Sequence, residues 1–318
     1  MSAPDRPEGE YRSAARAGTP NRAAWLFAVC TAIWGSTWLV ITYQLGSVAP
    51  EVSVVWRFAL AAVVLGAFCV ATRRSLRYTA ADHAVFAVQG ALMFGLNYVC
   101  VYWAEQHVVS GLVAVAFSTI TFMSVFAQRV MYGTPVTARA LTGATLGVFG
   151  VTVLFLPELI AAHGDRDTGL GIFWAILGTV FATLGNMAAA RLQLRGRAII
   201  PTTAWGMLYG ALAAAAVGIV TGAHWSFDLR LPYVASLAYL ALFGSVAAFV
   251  SYLALMRTIG MANASYVGVT TPVLALLLSA LVEGYVFSAF TVAGIALAIA
   301  GNVIVLRRRP GGAALIRD

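Results

Sequence analysis

Tyr98, Tyr102 and Glu105 recur at i, i+4 and i+7 in an otherwise apolar stretch, with Asn97 and Trp103 beside them. On an α-helix that spacing lines the three along one face. The chemistry such a face offers is non-covalent: ring faces receive the apolar body of a small solute while hydroxyls and amides bond its polar ends. In lipid a continuous polar-aromatic stripe is costly, so it must face protein or a water-filled path. Trp34 and Trp38, with Thr31 one turn earlier, form a second such face, and Thr179, Thr183 and Asn186 a third. Thr121 with Ser124, Ser245 with Tyr252, and Tyr266 with Thr270 add polar and aromatic positions. Taken singly, each is more often a packing residue or a hydroxyl bonding back to its own helix than a ligand contact. Taken together they predict a solute cavity lined by Trp34, Trp38, Asn97, Tyr98, Tyr102, Thr121, Asn186, Tyr252, Tyr266 and Thr270. Trp103 also fits an aromatic belt at the membrane surface.

Arg57 is the one charge inside an apolar run. It sits roughly 8 Å from the start of its helix if Val52 begins it, at about 1.5 Å per residue. Its side chain has two outlets, snorkelling outward or pairing with Glu105 at the same end of a neighbouring run. The expectation is a structural or gating ion pair between Arg57 and Glu105, with binding of a substrate carboxylate as the alternative. Pro272 lies within another apolar run and removes a backbone hydrogen bond there, which makes it a candidate helix break as in discontinuous transporter helices, or a kink with packing consequences only. Glu283 reads as part of a solvated turn.

The elements that must position these residues follow from hydropathy. The chain has 318 residues, 61% of them hydrophobic and only 10% charged, with mean hydropathy +0.85. Apolar runs fall near 24–44, 52–71, 84–104, 108–131, 138–157, 169–190, 202–222, 232–256, 262–282 and 287–306. Runs of about 20 apolar residues match a hydrocarbon core about 30 Å thick, and helices satisfy their own backbone there. The fold expected is an all-α polytopic membrane protein with ten transmembrane helices. The net charge of +8 comes from 20 arginines and no lysine, placed in short loops, so it marks topology rather than nucleic-acid binding. Seventeen arginines lie on the side of the N-terminus, Arg166 and Arg230 lie opposite, and both termini are therefore cytoplasmic. Residues 1–23 and 307–318 are the polar cytoplasmic tails. Cys30, Cys69 and Cys100 lie inside apolar runs without a CxxC pair and read as small core hydrophobes. His83, His107, His163 and His224 are far apart in sequence, and neither a metal nor a cofactor is expected.

One shift recurs along the chain. Pro50 and Pro201, Gly133 and Gly284, Gly143 and Gly294, and Gly150 and Gly301 each differ by 151 positions, and 132–154 lies over 283–305 without a gap. The halves are 24–157 and 169–306, each with five runs. Five is odd, so the halves face opposite ways, an inverted repeat with the substrate site between them near the midplane. Gly143, Gly147 and Gly150, with Gly294, Ala298 and Gly301, put small residues on one face of the fifth and tenth runs. That face is either a packing seam or the contact of a homodimer.

The stretch AIWGSTWLV at 32–40, WRFALAA at 56–62, the segment from Thr271-Pro272 to Glu283-Gly284, and the paired G-x6-G ends of both halves resemble the EamA family of the drug/metabolite transporter superfamily. The resemblance covers about residues 24–306 and departs from the family pattern in the first half, with Thr121 where the second has Pro272 and Tyr132 where it has Glu283. It implies a secondary transporter in the bacterial cytoplasmic (inner) membrane that exports small metabolites such as amino acids, without an ATPase part. LNYVCVYWAEQHVVSGL at 96–112 is similar to the aromatic amino acid exporters of that family. The partners expected are a small-molecule substrate and the lipid bilayer. An intramembrane enzyme is disfavoured by the lack of H-E-x-x-H, G-x-S-x-G and Walker A motifs, and a channel or scaffold by the inverted repeat.

Overall fold

The computed structural model describes residues 20–132, 135–161, 166–259 and 267–306. Ten helical spans cross it in the expected order. Spans 1 and 2 are Pro20–Thr42 and Pro50–Ala71. Span 3 joins Ala80–Gly90 and Asn97–Glu105 through a π-helical stretch, Ala91–Leu96. Span 4 comes in two pieces, Ser110–Phe117 and Ile120–Tyr132. Spans 5, 6 and 7 are Ala138–Ala161, Arg166–Leu194 and Ile199–Val220. Span 8 runs from Leu231–Tyr239 through a second π stretch, Leu240–Ala247, into Ala248–Ile259. Spans 9 and 10 are Val267–Val282 and Ala289–Leu306. Seven are long apolar helices, and the fourth, ninth and tenth supply the shorter apolar lengths Ser110–Ser124, Thr270–Val282 and Ala289–Ile304. Outward-facing Val63, Val70, Val148, Phe149, Leu212 and Ile219 are more than half exposed, as lipid-facing side chains must be.

Repeat-related spans meet. Span 2 packs on span 7, and span 5 on span 10. The second contact is a close approach of backbones. A Cβ on Gly301 would come within 2.5 Å of the Gly143 carbonyl oxygen and 2.6 Å of the Gly147 nitrogen, and one on Gly150 within 2.5 Å of the Ala298 nitrogen. Of the two readings of these faces, the packing seam describes what they do within the chain: the glycine faces pack on each other. Their lack of side chains lets the two helices touch without the loss of dispersion contacts that a gap would bring.

At the cytoplasmic end, Thr79 and Asp82 form a reciprocal cap on span 3, and Asp82 accepts from Arg197 Nη2 at 2.8 Å. The indole of Trp205 donates to the Leu76 carbonyl beside it. On the outer side, Arg230 is neutralised by a forked pair with Asp228 at 2.7–3.0 Å. Those bonds hold the Asp228 carboxyl well below the usual carboxylate range. Cys30, Cys69 and Cys100 are all free and buried, in keeping with their reading as core residues.

Replacing Gly301 by Val should separate spans 5 and 10 and lower stability by about 1–3 kcal/mol, the usual scale of overpacking. A thermal melt in detergent micelles reads this. An unshifted melting temperature would mean that the seam does not exist.

Candidate functional site

A cavity of about 410 Å³ lies at the centre, walled by spans 1, 3 and 4 of the first repeat and spans 6, 8 and 9 of the second. These are equivalent triplets. Spans 2, 5, 7 and 10 contribute none of the lining. Trp34, Thr37, Trp38 and Ile41 enter from span 1, and Met93, Asn97, Tyr98 and Val101 from span 3. Span 4 adds Ala114, Phe117, Ser118, Ile120 and Ser124, span 6 Ala182 and Asn186, span 8 Phe249 and Tyr252, and span 9 Gly268, Thr271 and Pro272.

The aromatic walls hold one another in place. The Trp34 ring meets Phe249 at 5.3 Å and Tyr252 at 5.1 Å, Phe249 meets Phe94 at 5.3 Å, and Phe94 meets Phe58 at 5.4 Å. Phe58 then meets Tyr98 at 4.7 Å, so a chain of rings runs from one repeat into the other. Edge and tilted contacts of this kind add directional preference to the area they bury. Trp34 also donates its Nε1–H to the Gly244 carbonyl at 3.2 Å, inside the π stretch of span 8. Such stretches re-aim side chains by inserting an extra residue into a helix turn. On span 3, Met93 lies in the other π stretch and accepts from Asn97 Nδ2 at 3.0 Å through its carbonyl.

Of the residues predicted to line a cavity, Trp34, Trp38, Asn97, Tyr98, Asn186 and Tyr252 do so. Tyr102 does not: it is fully buried, and its hydroxyl donates to Gln44 Oε1 at 2.6 Å, closing span 3 on span 1 near the outer surface. Thr270 is also corrected, since its hydroxyl shares a 3.0 Å hydrogen bond with Thr31 and it is not among the lining residues. Tyr266 and the side chain of Thr121 lie outside the described residues. Thr179 and Thr183 are buried and bond back to the carbonyls of Ala175 and Thr179. Met93, Phe117, Ser118 and Phe249 are lining residues that the sequence did not single out; an apolar residue in an apolar run carries no signal of its own.

Arg57 and Glu105 are both buried but form no ion pair, contrary to expectation. Arg57 donates from Nε to Ser245 Oγ at 3.2 Å and stacks its guanidinium 4.4 Å from the Tyr98 ring centre. Neither carboxylate oxygen of Glu105 has a hydrogen-bond partner in the structure. Pro272 does not break its span: Val267–Val282 is continuous, with Pro272 and Gly268 both on the cavity wall. The interruption falls in span 4 instead, where Ser118 and Thr119 donate to Val115 and Ala116 in tighter, three-residue turns. Glu283 is no solvated turn. It accepts from the Ser110 hydroxyl at 2.5 Å and the Ser110 backbone N–H at 3.2 Å, capping span 4 from the second repeat. Glu51, an acid at the start of span 2 that no spacing pattern marks, is likewise buried and accepts from Trp103 Nε1 at 3.0 Å.

Because Arg57 is held by Tyr98 and Ser245 rather than by Glu105, exchanging the charges (Arg57→Glu with Glu105→Arg) should not rescue either single change in a thermal melt. Arg57→Gln should cost about 2 kcal/mol, from one lost charged hydrogen bond and the lost cation–π contacts with Tyr98 and Phe58. Recovery in the double variant would restore the ion-pair reading.

The comparisons with known proteins agree with this architecture. The model of the EamA-like transporter family matches twice, at residues 21–156 and 169–307. The chain is 27% identical over 256 residues to the uncharacterized inner membrane transporter YedA of Escherichia coli K12, covering 77% of this chain and 78% of that one. It is 22% identical over 291 residues to an uncharacterized transporter of Clostridium kluyveri, covering 89% and 93%. With Protein PagO of Salmonella typhimurium it shares 21% over 270 residues, covering 83% and 86%. A solved crystal structure superposes with a TM-score of 0.64 at 18% identity, covering 90% of this chain and 97% of that chain, which establishes the shared fold. On these grounds, and on two repeats wrapped around one cavity, the chain belongs to the EamA-like transporter family and is a multi-pass membrane transporter of the inner-membrane type.

Proposed function

We propose that this protein exports small metabolites from the cytoplasm by alternating access, that amino acids are its substrates, and that aromatic ones are preferred. The observation that carries the reading is the cavity itself: about 410 Å³, in the range of small-ligand sites, with Trp34, Trp38, Tyr98, Phe117, Phe249 and Tyr252 in its walls and a few amide and hydroxyl groups among them. Flat rings offer an aromatic side chain large contact area at low entropic cost. An exporter loads from the cytoplasm, and the polar joints lie on the opposite side. The outer ends of spans 1 and 3 are joined by Tyr102 and Gln44, and those of spans 4 and 9 by Ser110 and Glu283. Asn186, Tyr252 and Gly268 extend the wall into the cytoplasmic half.

Uptake of labelled phenylalanine, tryptophan, threonine, cysteine and a cationic dye into proteoliposomes, with and without a pH gradient, tests the reading. Saturable flux of phenylalanine and tryptophan, accelerated by unlabelled solute on the opposite side, is the expected result. Flux linear in concentration without counterflow would identify a channel. Saturable flux of the dye alone would replace amino acids by another solute class.

A further inference from the structure

Most polar groups around the cavity are already used. Thr37 donates its hydroxyl to the Trp34 carbonyl at 2.8 Å and Thr271 to the Val267 carbonyl at 2.7 Å, each within its own helix. Two are not. Asn97 Oδ1 and Ser118 Oγ are buried atoms with no hydrogen-bond partner, on residues only 6% and 5% exposed, and both residues line the cavity. For Asn97 the orientation is fixed by its own bond: Nδ2 donates to the Met93 carbonyl, and turning the amide over would set two oxygens against each other, so the acceptor is the free atom. Ser118 sits at the interruption of span 4, where its hydroxyl has no partner in its own helix. Both residues stand on the wall of the same cavity, from spans 3 and 4, which flank Gly178 of span 6: a Cβ there would meet the Asn97 backbone oxygen and the tip of the Phe117 ring, each at 3.3 Å. A buried polar atom without a partner costs free energy that a ligand can recover.

No charged side chain lines the cavity among the described residues. The nearest fixed charge behind a wall is Arg57, screened from the cavity by the Tyr98 ring on which it stacks. A solute with net charge would enter without a counterion, at a desolvation cost that a zwitterion largely avoids by carrying its own.

From this we infer that Asn97 and Ser118 are the head-group subsite of the transporter: Asn97 Oδ1 accepts from the ammonium of a zwitterionic α-amino acid, the Ser118 hydroxyl donates to its carboxylate, and the lack of lining charge excludes solutes that carry only one of the two groups. The inference rests on the amino acid reading and specifies how that site selects. Asn97 signals its role by type, as an amide in an apolar run; Ser118 is found only through the helix interruption.

The test is saturable uptake of labelled phenylalanine into proteoliposomes, with competition by 3-phenylpropionate, which has the carboxylate alone, and by 2-phenylethyltrimethylammonium, a fixed cation without an N–H. In the wild type, unlabelled phenylalanine should compete and neither analogue should do so at tenfold its half-saturating concentration. Asn97→Leu should raise the half-saturating concentration at least about tenfold and Ser118→Ala about threefold or more, as expected for a charge-assisted and a single hydroxyl hydrogen bond. Asn97→Asp keeps the side-chain shape and adds a negative charge, so the quaternary cation should become an inhibitor; this gain does not depend on Asn97→Leu folding. Phenylalanine uptake that is saturable yet unchanged within twofold in all three variants, or blocked equally by either analogue in the wild type, overturns the subsite while leaving an amino acid transporter in place. Saturable transport of the dye without any phenylalanine uptake overturns the amino acid reading and the subsite with it.

Discussion

A guanidinium sealed inside the transmembrane core governs much of this molecule. Arg57 is 1% exposed, and an uncompensated charge in such a place costs several kcal/mol. Its compensation comes from two rings and a hydroxyl, the Phe58 ring centre lying 5.2 Å from the guanidinium carbon. The Tyr98 ring presents its face at 4.4 Å, and the Ser245 hydroxyl accepts from Nε at 3.2 Å while donating to the Leu240 carbonyl five residues back. That five-residue bond belongs to the π stretch of span 8, so the widened turn and the buried charge support each other. Gly244, in the same stretch, has Arg57 Nη2 3.3 Å from where a Cβ would stand, and its carbonyl receives the Trp34 indole. One buried cation thus fixes a cavity wall on span 3, a helix irregularity on span 8 and, through it, a cavity wall on span 1.

The two repeats divide their labour in the same way. First, third and fourth spans of each half make the cavity, while the second and fifth spans pair with their own counterparts around it. Equivalence stops at the helix interruption. Pro272 sits in span 9, which is continuous, whereas span 4, without the proline, is the one that divides at Ser118 and Thr119. Those residues correspond to Val269 and Thr270 under the 151-residue shift, so the irregularity recurs at nearly the same depth but by another route. In span 9 a missing N–H leaves the carbonyl at Gly268 without its helical donor. In span 4 the backbone tightens and the Ser118 hydroxyl is left without a partner. Both devices place unpaired polar atoms where the helix borders the cavity, which is where irregular backbone is tolerable in a membrane.

Hydropathy made the spans and their direction legible, because the need to satisfy backbone groups in hydrocarbon leaves few alternatives. The face of span 3 was harder to read. Tyr98, Tyr102 and Glu105 do share a side of the helix, yet the cavity takes Asn97, Tyr98 and Val101. At about 100° per residue, Val101 lies about 40° from Asn97 and Tyr102 about 140° away. The polar stripe is thus turned toward spans 1 and 2, where Gln44 and Arg57 are buried, and Tyr98 stands at the edge shared by both faces. Counting polar residues finds where a helix needs protein neighbours. It does not separate a buried polar joint from a solute-facing wall, because both relieve the same desolvation cost. Arg57 was misassigned for a related reason: opposite charges at the same depth suggest a pair, while an aromatic face and a hydroxyl leave no charge pattern in the sequence.

The joints that replaced the predicted ion pair lie at one end of the molecule. Tyr102 to Gln44, Trp103 to Glu51 and Ser110 to Glu283 connect spans 3 to 1, 3 to 2, and 4 to 9 near the outer surface. Toward the cytoplasm, spans 1, 8 and 9 pack on Cys30, Leu255 and Val267 and share a hydroxyl pair, Thr31 with Thr270 at 3.0 Å, while the ion pair of Asp82 with Arg197 joins spans 3 and 7 outside the ring of cavity spans. Apolar surfaces slide over one another at small cost, since dispersion contacts are non-directional. Hydrogen bonds in a low-dielectric surrounding are lost all at once when the donor turns away. The outer end is thus stitched by bonds to carboxylates and an amide, whereas the inner end of the cavity spans rests mainly on apolar packing with one hydroxyl pair. The unpaired oxygens of Glu105 and the unpaired Nη1 of Arg57 lie in that same outer region, beside the directional joints.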